Sequence, residues 1–115
     1  METSFFAMRC KEVINVCDGK SLGRISDIVF DMFSGQIFGL LVPVSNGFFN
    51  IFHSYDEIFI PYQNICKIGE DVILIDLAET NVLALNKKNK GRIIDSLKQE
   101  RKDIQNQKNT INESK

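Results

Sequence analysis

At 115 residues, the chain has the length of one domain with room for a tail. Hydrophobic residues make up 43% of it, enough for a core, yet no apolar run reaches the ~20 residues a membrane-spanning helix needs. The net charge of −1 conceals a division: residues 1–80 carry five basic against eleven acidic side chains, and residues 81–115 carry nine against four. An acidic body repels phosphate, which argues against nucleic acid as its partner. The basic tail reads as a solvated segment. METSFFAMRC lacks a basic stretch followed by an apolar one, so no signal peptide is expected and the cytoplasm is the expected location.

Taken in order, residues 1–9 are a lead-in whose Phe5, Phe6 and Met8 are expected to cover one end of a barrel. Residues 11–16, KEVINV, read as a first strand with Val13 inward, and Asp18-Gly19-Lys20 as a turn. The stretch 22–44 organises the rest. It reads as two strands joined at Ser34-Gly35, where glycine supplies a positive φ. Along the first arm, Ile28, Phe30 and Met32 share one parity and are expected to point inward, with Asp27, Val29 and Asp31 outward. The alternation slips upstream of Ile28, which predicts a bulge near Ser26-Asp27. The second arm, Ile37–Val42, is apolar on both parities. Such a strand is either covered on both faces or leaves one for a partner, and a homodimer through this strand is the expectation. Pro43 lacks the ladder donor and is expected to end it.

Ser45-Asn46-Gly47 turns into FFNIFHSYD, dense in aromatics and without a clean period. Residues 57–60 read as a strand with Ile58 and Ile60 on one face. Pro61-Tyr62-Gln63-Asn64 reads as a 3₁₀ turn, residues 65–68 as a short strand and residues 72–77 as the last one. Strands of this size without long helices between them point to an all-β fold, a small antiparallel barrel of SH3-like size over residues 1–78. Residues 79–115 form a basic polar tail, weakly helical or disordered. Its thin stripe of Ile93, Ile94, Leu97, Ile104 and Ile111 is broken by Arg101 and Lys108, and Gly91 is expected to separate residues 82–85 from any helix.

No catalytic constellation stands out, and no enzyme activity is expected. The single histidine, His53, has no assignable nucleophile or acid partner. Cys10, Cys17 and Cys66 form no CxxC pair and are expected to be free, small core-filling thiols; neither a metal nor a cofactor is expected.

KEVINVCDGKSLGRISDIVFDMFSGQIFGLLVP, followed by DEIFIPYQNICKIGEDVILIDL, resembles a PRC-barrel domain over residues 4–77. It is most similar to the short stand-alone sporulation branch of the YlmC/YmxH type. The resemblance rests on a combination: strand-DGK-LG-x-I-x-D, then D-x-x-SG-x-I, then IP-aromatic-x-x-I-x-x-IG-x-DVILID. It implies a compact β-barrel without catalysis or cofactor. Relatives of the domain in a photosynthetic reaction-centre subunit and a ribosome maturation factor serve as docking modules. Two features depart from the family pattern. Tyr62 stands where many members carry Trp, keeping an aromatic plug but adding a hydroxyl, and GFFNIFHSYDE replaces a glycine-rich basic loop.

The expected function is therefore a non-enzymatic, sporulation-associated interaction module with a protein partner. Phe48, Phe49, Phe52, His53, Tyr55 and Tyr62 form its candidate surface, although Phe48 and Phe52 would equally serve to plug the barrel mouth. The alternative is an RNA-processing or ribosome-assembly adaptor that uses the basic tail.

Overall fold

The computed structural model describes residues 2–44, 56–78, 83–86, 88–97 and 99. A short helix, α1 (Phe5–Arg9), precedes the strands; the Ser4 hydroxyl caps it by accepting from the Ala7 N–H at 3.1 Å. The strands are β1 (Glu12–Asn15), β2 (Lys20–Gly23), β3 (Asp27–Phe30), β4 (Ile37–Pro43), β5 (Glu57–Pro61), β6 (Ile65–Ile68), β7 (Val72–Ile75) and β8 (Leu83–Leu85). A helix over 90–97, here α2, follows. The all-β class expected from the strand spacing holds.

Two four-stranded sheets pack face to face, in the orders β2-β1-β7-β6 and β3-β4-β5-β8. Between them lies a core of Val13, Leu22, Ile73, Ile75 and Leu77 from one side and Ile25, Leu40, Val42, Ile58 and Ile60 from the other, with Met8 of α1 added. Parity explains the membership. Ile58 and Ile60 alternate with Phe59 along β5, so the isoleucines enter this core while Phe59 faces away.

One ladder departs from the expected antiparallel scheme. β1 runs parallel to β7, with Val13 opposite Ile73 and Asn15 opposite Ile75. β7 ends at Ile75, but the pairing is carried on by a side chain. Asn15 is 1% exposed on the inward face of β1. Its Nδ2 donates to the Leu77 carbonyl at 2.8 Å, and its Oδ1 accepts from the Leu77 N–H at 3.1 Å and the Cys17 N–H at 3.2 Å. The amide thereby mimics one more residue of ladder and holds Leu77 in the core.

The outer face of the second sheet is also apolar. Val29, Phe38, Leu41, Phe59 and Leu85 form a second buried cluster, covered by Leu83 and by Ile93, Ile94 and Leu97 of α2. Residues that read as polar tail thus supply a strand paired with β5, Ile58 opposite Ala84, and a helix laid across the sheet. Gly91 lies inside that helix rather than before it. Lys90 anchors the helix start through a 2.9 Å ion pair with Glu57 of β5, whose other oxygen accepts from the Ser26 hydroxyl. The apolar outer parity of β4 is therefore covered in cis, which removes the reason for expecting a homodimer through it.

The bulge expected near Ser26-Asp27 is present in the bonding. Asp27 faces Leu41, and the Ser26 N–H also reaches the Leu41 carbonyl at 2.8 Å, so two residues oppose one. Ile25 and Ile28, three apart, consequently both face the first core. The expectation for the rest of that arm fails. A second irregularity lets Val29 face Gly39 while Phe30 faces Ile37, so Phe38 is the extra residue on β4. Val29 is buried, whereas Phe30 and Met32 are 51% and 80% exposed at the end of the sheet. The turn is also wider than Ser34-Gly35: Asp31 N–H bonds the Gln36 carbonyl and Gly35, at φ +74°, bonds the Asp31 carbonyl, both at 2.8 Å.

Two outcomes follow from these contacts. Replacing Asn15→Leu leaves the buried Leu77 N–H and C=O unpaired and should lower stability by ~2–4 kcal/mol in urea unfolding. The Glu57 carboxyl is pushed up by burial, but the Ser26 hydroxyl and Lys90 outweigh this and hold it below its ordinary value. A depressed carboxyl stabilises the fold above the unfolded value and loses that contribution as pH falls through the folded one. Glu57→Gln should therefore destabilise by roughly 1 kcal/mol at neutral pH, with the difference closing below about pH 4 in the same urea assay.

Candidate interaction surface

Strand β5 positions the one proposed surface residue that is described. Pro61 ends the strand and caps a 3₁₀ turn, Tyr62–Asn64, because proline cannot continue the ladder. Tyr62 is 51% exposed there, so it does not plug the barrel. Phe48, Phe49, Phe52, His53 and Tyr55 lie outside the described residues. The described residues that flank them meet at the other end of β5: Pro43 faces Glu57, and Val44 N–H bonds the Asp56 carbonyl at 3.0 Å. Tyr62 sits instead beside the start of β4, where Gly39 faces Pro61.

The 3₁₀ turn packs against β4, and the end of the β3–β4 ladder in the same sheet is apolar. Phe30 and Ile37 face each other at the last step of the β3–β4 ladder, and the turn beyond them presents Met32 and Phe33, the latter fully exposed at 101%. The turn is held in shape by its own polar bonds, including Phe33 N–H to Asp31 Oδ1 at 3.0 Å, so the apolar tip is displayed on an ordered frame. Helix α1 packs against β3 and leaves Phe5 and Phe6 exposed, with the Arg9 guanidinium 5.9 Å from the Phe6 ring centre. Of the three lead-in residues expected to cover the barrel, only Met8 is buried. Sequence reasoning missed this surface because it assigned Phe30 and Met32 to the inside. The tandem apolar residues Met32-Phe33, directly before a Ser-Gly turn, were the available signal.

The thiols do not fill the core: Cys10, Cys17 and Cys66 are all free and exposed. Cys17 Sγ donates to Asp76 Oδ1 at 2.8 Å. That hydrogen bond, with slight desolvation and Asp76's charge behind it, pushes the Cys17 thiol up and disfavours the reactive thiolate. Among the described residues no group of three or more His, Cys, Asp or Glu could hold a metal ion, and no helix is long and apolar enough to cross a membrane. Every buried side-chain N or O among them has a hydrogen-bond partner. Asp76→Asn should speed iodoacetamide labelling of Cys17 at neutral pH by roughly three- to tenfold, as read by peptide mass mapping; an unchanged rate would contradict the role given to the carboxylate.

Comparison with known proteins agrees with this geometry. The family profile of the PRC-barrel domain matches residues 8–82, from Met8 in the first core to the residue before β8. The chain is 40% identical over 76 residues to "Probable sporulation protein YlmC" of Bacillus subtilis, covering 66% of this chain and 94% of that one. It is 35% identical over 75 residues to an uncharacterised protein of Clostridium acetobutylicum, covering 64% and 83% of the two chains. To the uncharacterised protein YmxH of Bacillus subtilis it is 31% identical over 71 residues, covering 60% and 82%. The profile match, which spans well over half of the chain, shows that the chain belongs to the PRC-barrel domain family.

Proposed function

We infer that the protein is a non-enzymatic interaction module that acts in the cytoplasm during sporulation and works by holding a protein partner. The observation that supports this reading is the exposure of Phe30, Met32 and Phe33 where the β3–β4 ladder ends and turns, with Tyr62 also exposed on the 3₁₀ turn that packs against β4. Aromatic side chains held out on an ordered turn combine large contact area with little entropy to lose on binding. Such exposed clusters mark binding sites more often than they occur by chance on a monomer. Kinship with a protein named as probably sporulation-related supports the cellular setting. A second, separate contact through Phe48, Phe49, Phe52, His53 and Tyr55 is part of the same proposal and is tested by Phe49→Ser.

The tail-based RNA reading draws less support. Lys90 is engaged with Glu57, and Ile93, Ile94 and Leu97 face the sheet, so part of the basic segment serves the fold. The test is capture from sporulating cells with the wild-type chain, Phe33→Ser, Tyr62→Ala and Phe49→Ser. A partner retained by the wild-type chain should be lost, at least tenfold, with Phe33→Ser or Tyr62→Ala while the urea midpoint stays unchanged. Equal retention by all four chains would refute this surface. Retention that disappears only after ribonuclease treatment would favour the RNA adaptor.

A further inference from the structure

The turn between β3 and β4 has the features of an element that is enclosed by what it binds. Four of its amides are spent inside it. Asp31 N–H bonds the Gln36 carbonyl and Gly35 N–H the Asp31 carbonyl, both at 2.8 Å; Phe33 N–H bonds Asp31 Oδ1 at 3.0 Å and Gln36 N–H bonds Ser34 Oγ at 3.2 Å. A backbone donor buried without a partner is costly, so a turn that pairs its own donors can leave water with little loss. The side chains suit the same end. Met32 and Phe33 project from the tip, and Phe30 and Ile37 stand partly exposed at its base. Together they present about 500 Å² of apolar surface, short of the ~800 Å² that each partner gives to a stable flat interface. A flat face, or a second copy meeting tip to tip, gains too little area. A cavity that surrounds the tip uses all of it.

Charge narrows the occupant further. From residue 25 to residue 66 the chain has no Lys or Arg, so β3, β4, β5 and the turn carry none. Asp27 and Asp31 lie on this hairpin, and residues 1–80 hold eleven acidic against five basic side chains. Such a hairpin repels an anionic bilayer and attracts cationic groups. Resting on the assignment of this end to a protein partner, we propose that Met32 and Phe33 are a plug for an apolar socket whose rim on that partner is basic. Phe33 fills the socket. Met32, unbranched and polarizable, adapts to its wall. Asp27 and Asp31 supply the charge that the rim answers.

A photocrosslinking amino acid locates the socket, and defined variants test its chemistry. Phe33→p-benzoylphenylalanine is irradiated in sporulating cells, with exposed Val16→p-benzoylphenylalanine on the other sheet as control. An adduct specific to position 33 should map to apolar residues flanked by Lys or Arg. Against the purified partner, Phe33→Leu should bind within about threefold of wild type, and Phe33→Ser at least tenfold more weakly. Asp27→Asn/Asp31→Asn retains the side-chain acceptors for the Ile28 and Phe33 N–H groups and removes only charge. It should bind about three- to tenfold more weakly at low salt and lose most of the wild type's salt dependence. No adduct specific to position 33, or one to an acidic or wholly polar peptide, overturns the proposal. So does flotation of the wild type, but not of Phe33→Ser, with vesicles of phosphatidylcholine and phosphatidylglycerol. A Phe33→Ser loss with binding indifferent to salt and to the double variant overturns the basic rim but leaves a protein partner at this end standing. Full binding by Phe33→Ser overturns both.

Discussion

β4 and β5 carry apolar side chains on both faces, and the rest of the fold is arranged to keep water from them. Leu40, Val42, Ile58 and Ile60 point into the space between the sheets, while Phe38, Leu41 and Phe59 point the other way. A two-sided apolar strand pair needs two covers. The first is the sheet β2-β1-β7-β6, and the second is β8 with α2. Gly39 shows how tightly the pair itself is made: a methyl group there would run into the Ile60 carbonyl oxygen and the Phe59 ring.

The first cover depends in turn on a polar group. The parallel pairing of β1 with β7 is short, and the chain leaves β7 at Ile75. Asn15 prolongs it by binding both backbone groups of Leu77, which brings one more apolar side chain into the core. A hydrophobic residue at position 15 would match the inward parity of Val13 but would strand two buried backbone groups. A similar economy appears at the opposite rim, where Lys11 Nζ donates to the carbonyls of Gly69 and Glu70, both at 2.6 Å, and ties the start of β1 to the β6–β7 turn.

These constraints sort the surface into parts with different roles. Among the described residues Phe30, Met32, Phe33 and Tyr62 are exposed, whereas the outer face of the second sheet is covered by β8 and α2. Cys17 is exposed but restrained by Asp76, so exposure alone does not make it a reactive group.

Much of the architecture was legible in the residues themselves. Period-two alternation identified Ile58 and Ile60 as core, Pro61 announced the 3₁₀ turn, and the parity slip before Ile28 located the bulge at Ser26-Asp27, because each depends on neighbours in the chain. The motifs also identified the family. Other features were decided only by tertiary structure. Phe38 became the extra residue of β4, and Phe30 and Met32 stayed exposed where the ladder ends, because register and strand ends are settled across strands. Asn15 found Leu77 sixty-two positions away. Residues 83–97 looked like polar tail because their thin apolar stripe has meaning only against the sheet it covers. Local pattern determines which side chains can share a face; what lies across from that face is a long-range matter, and one sequence read along its length does not contain it.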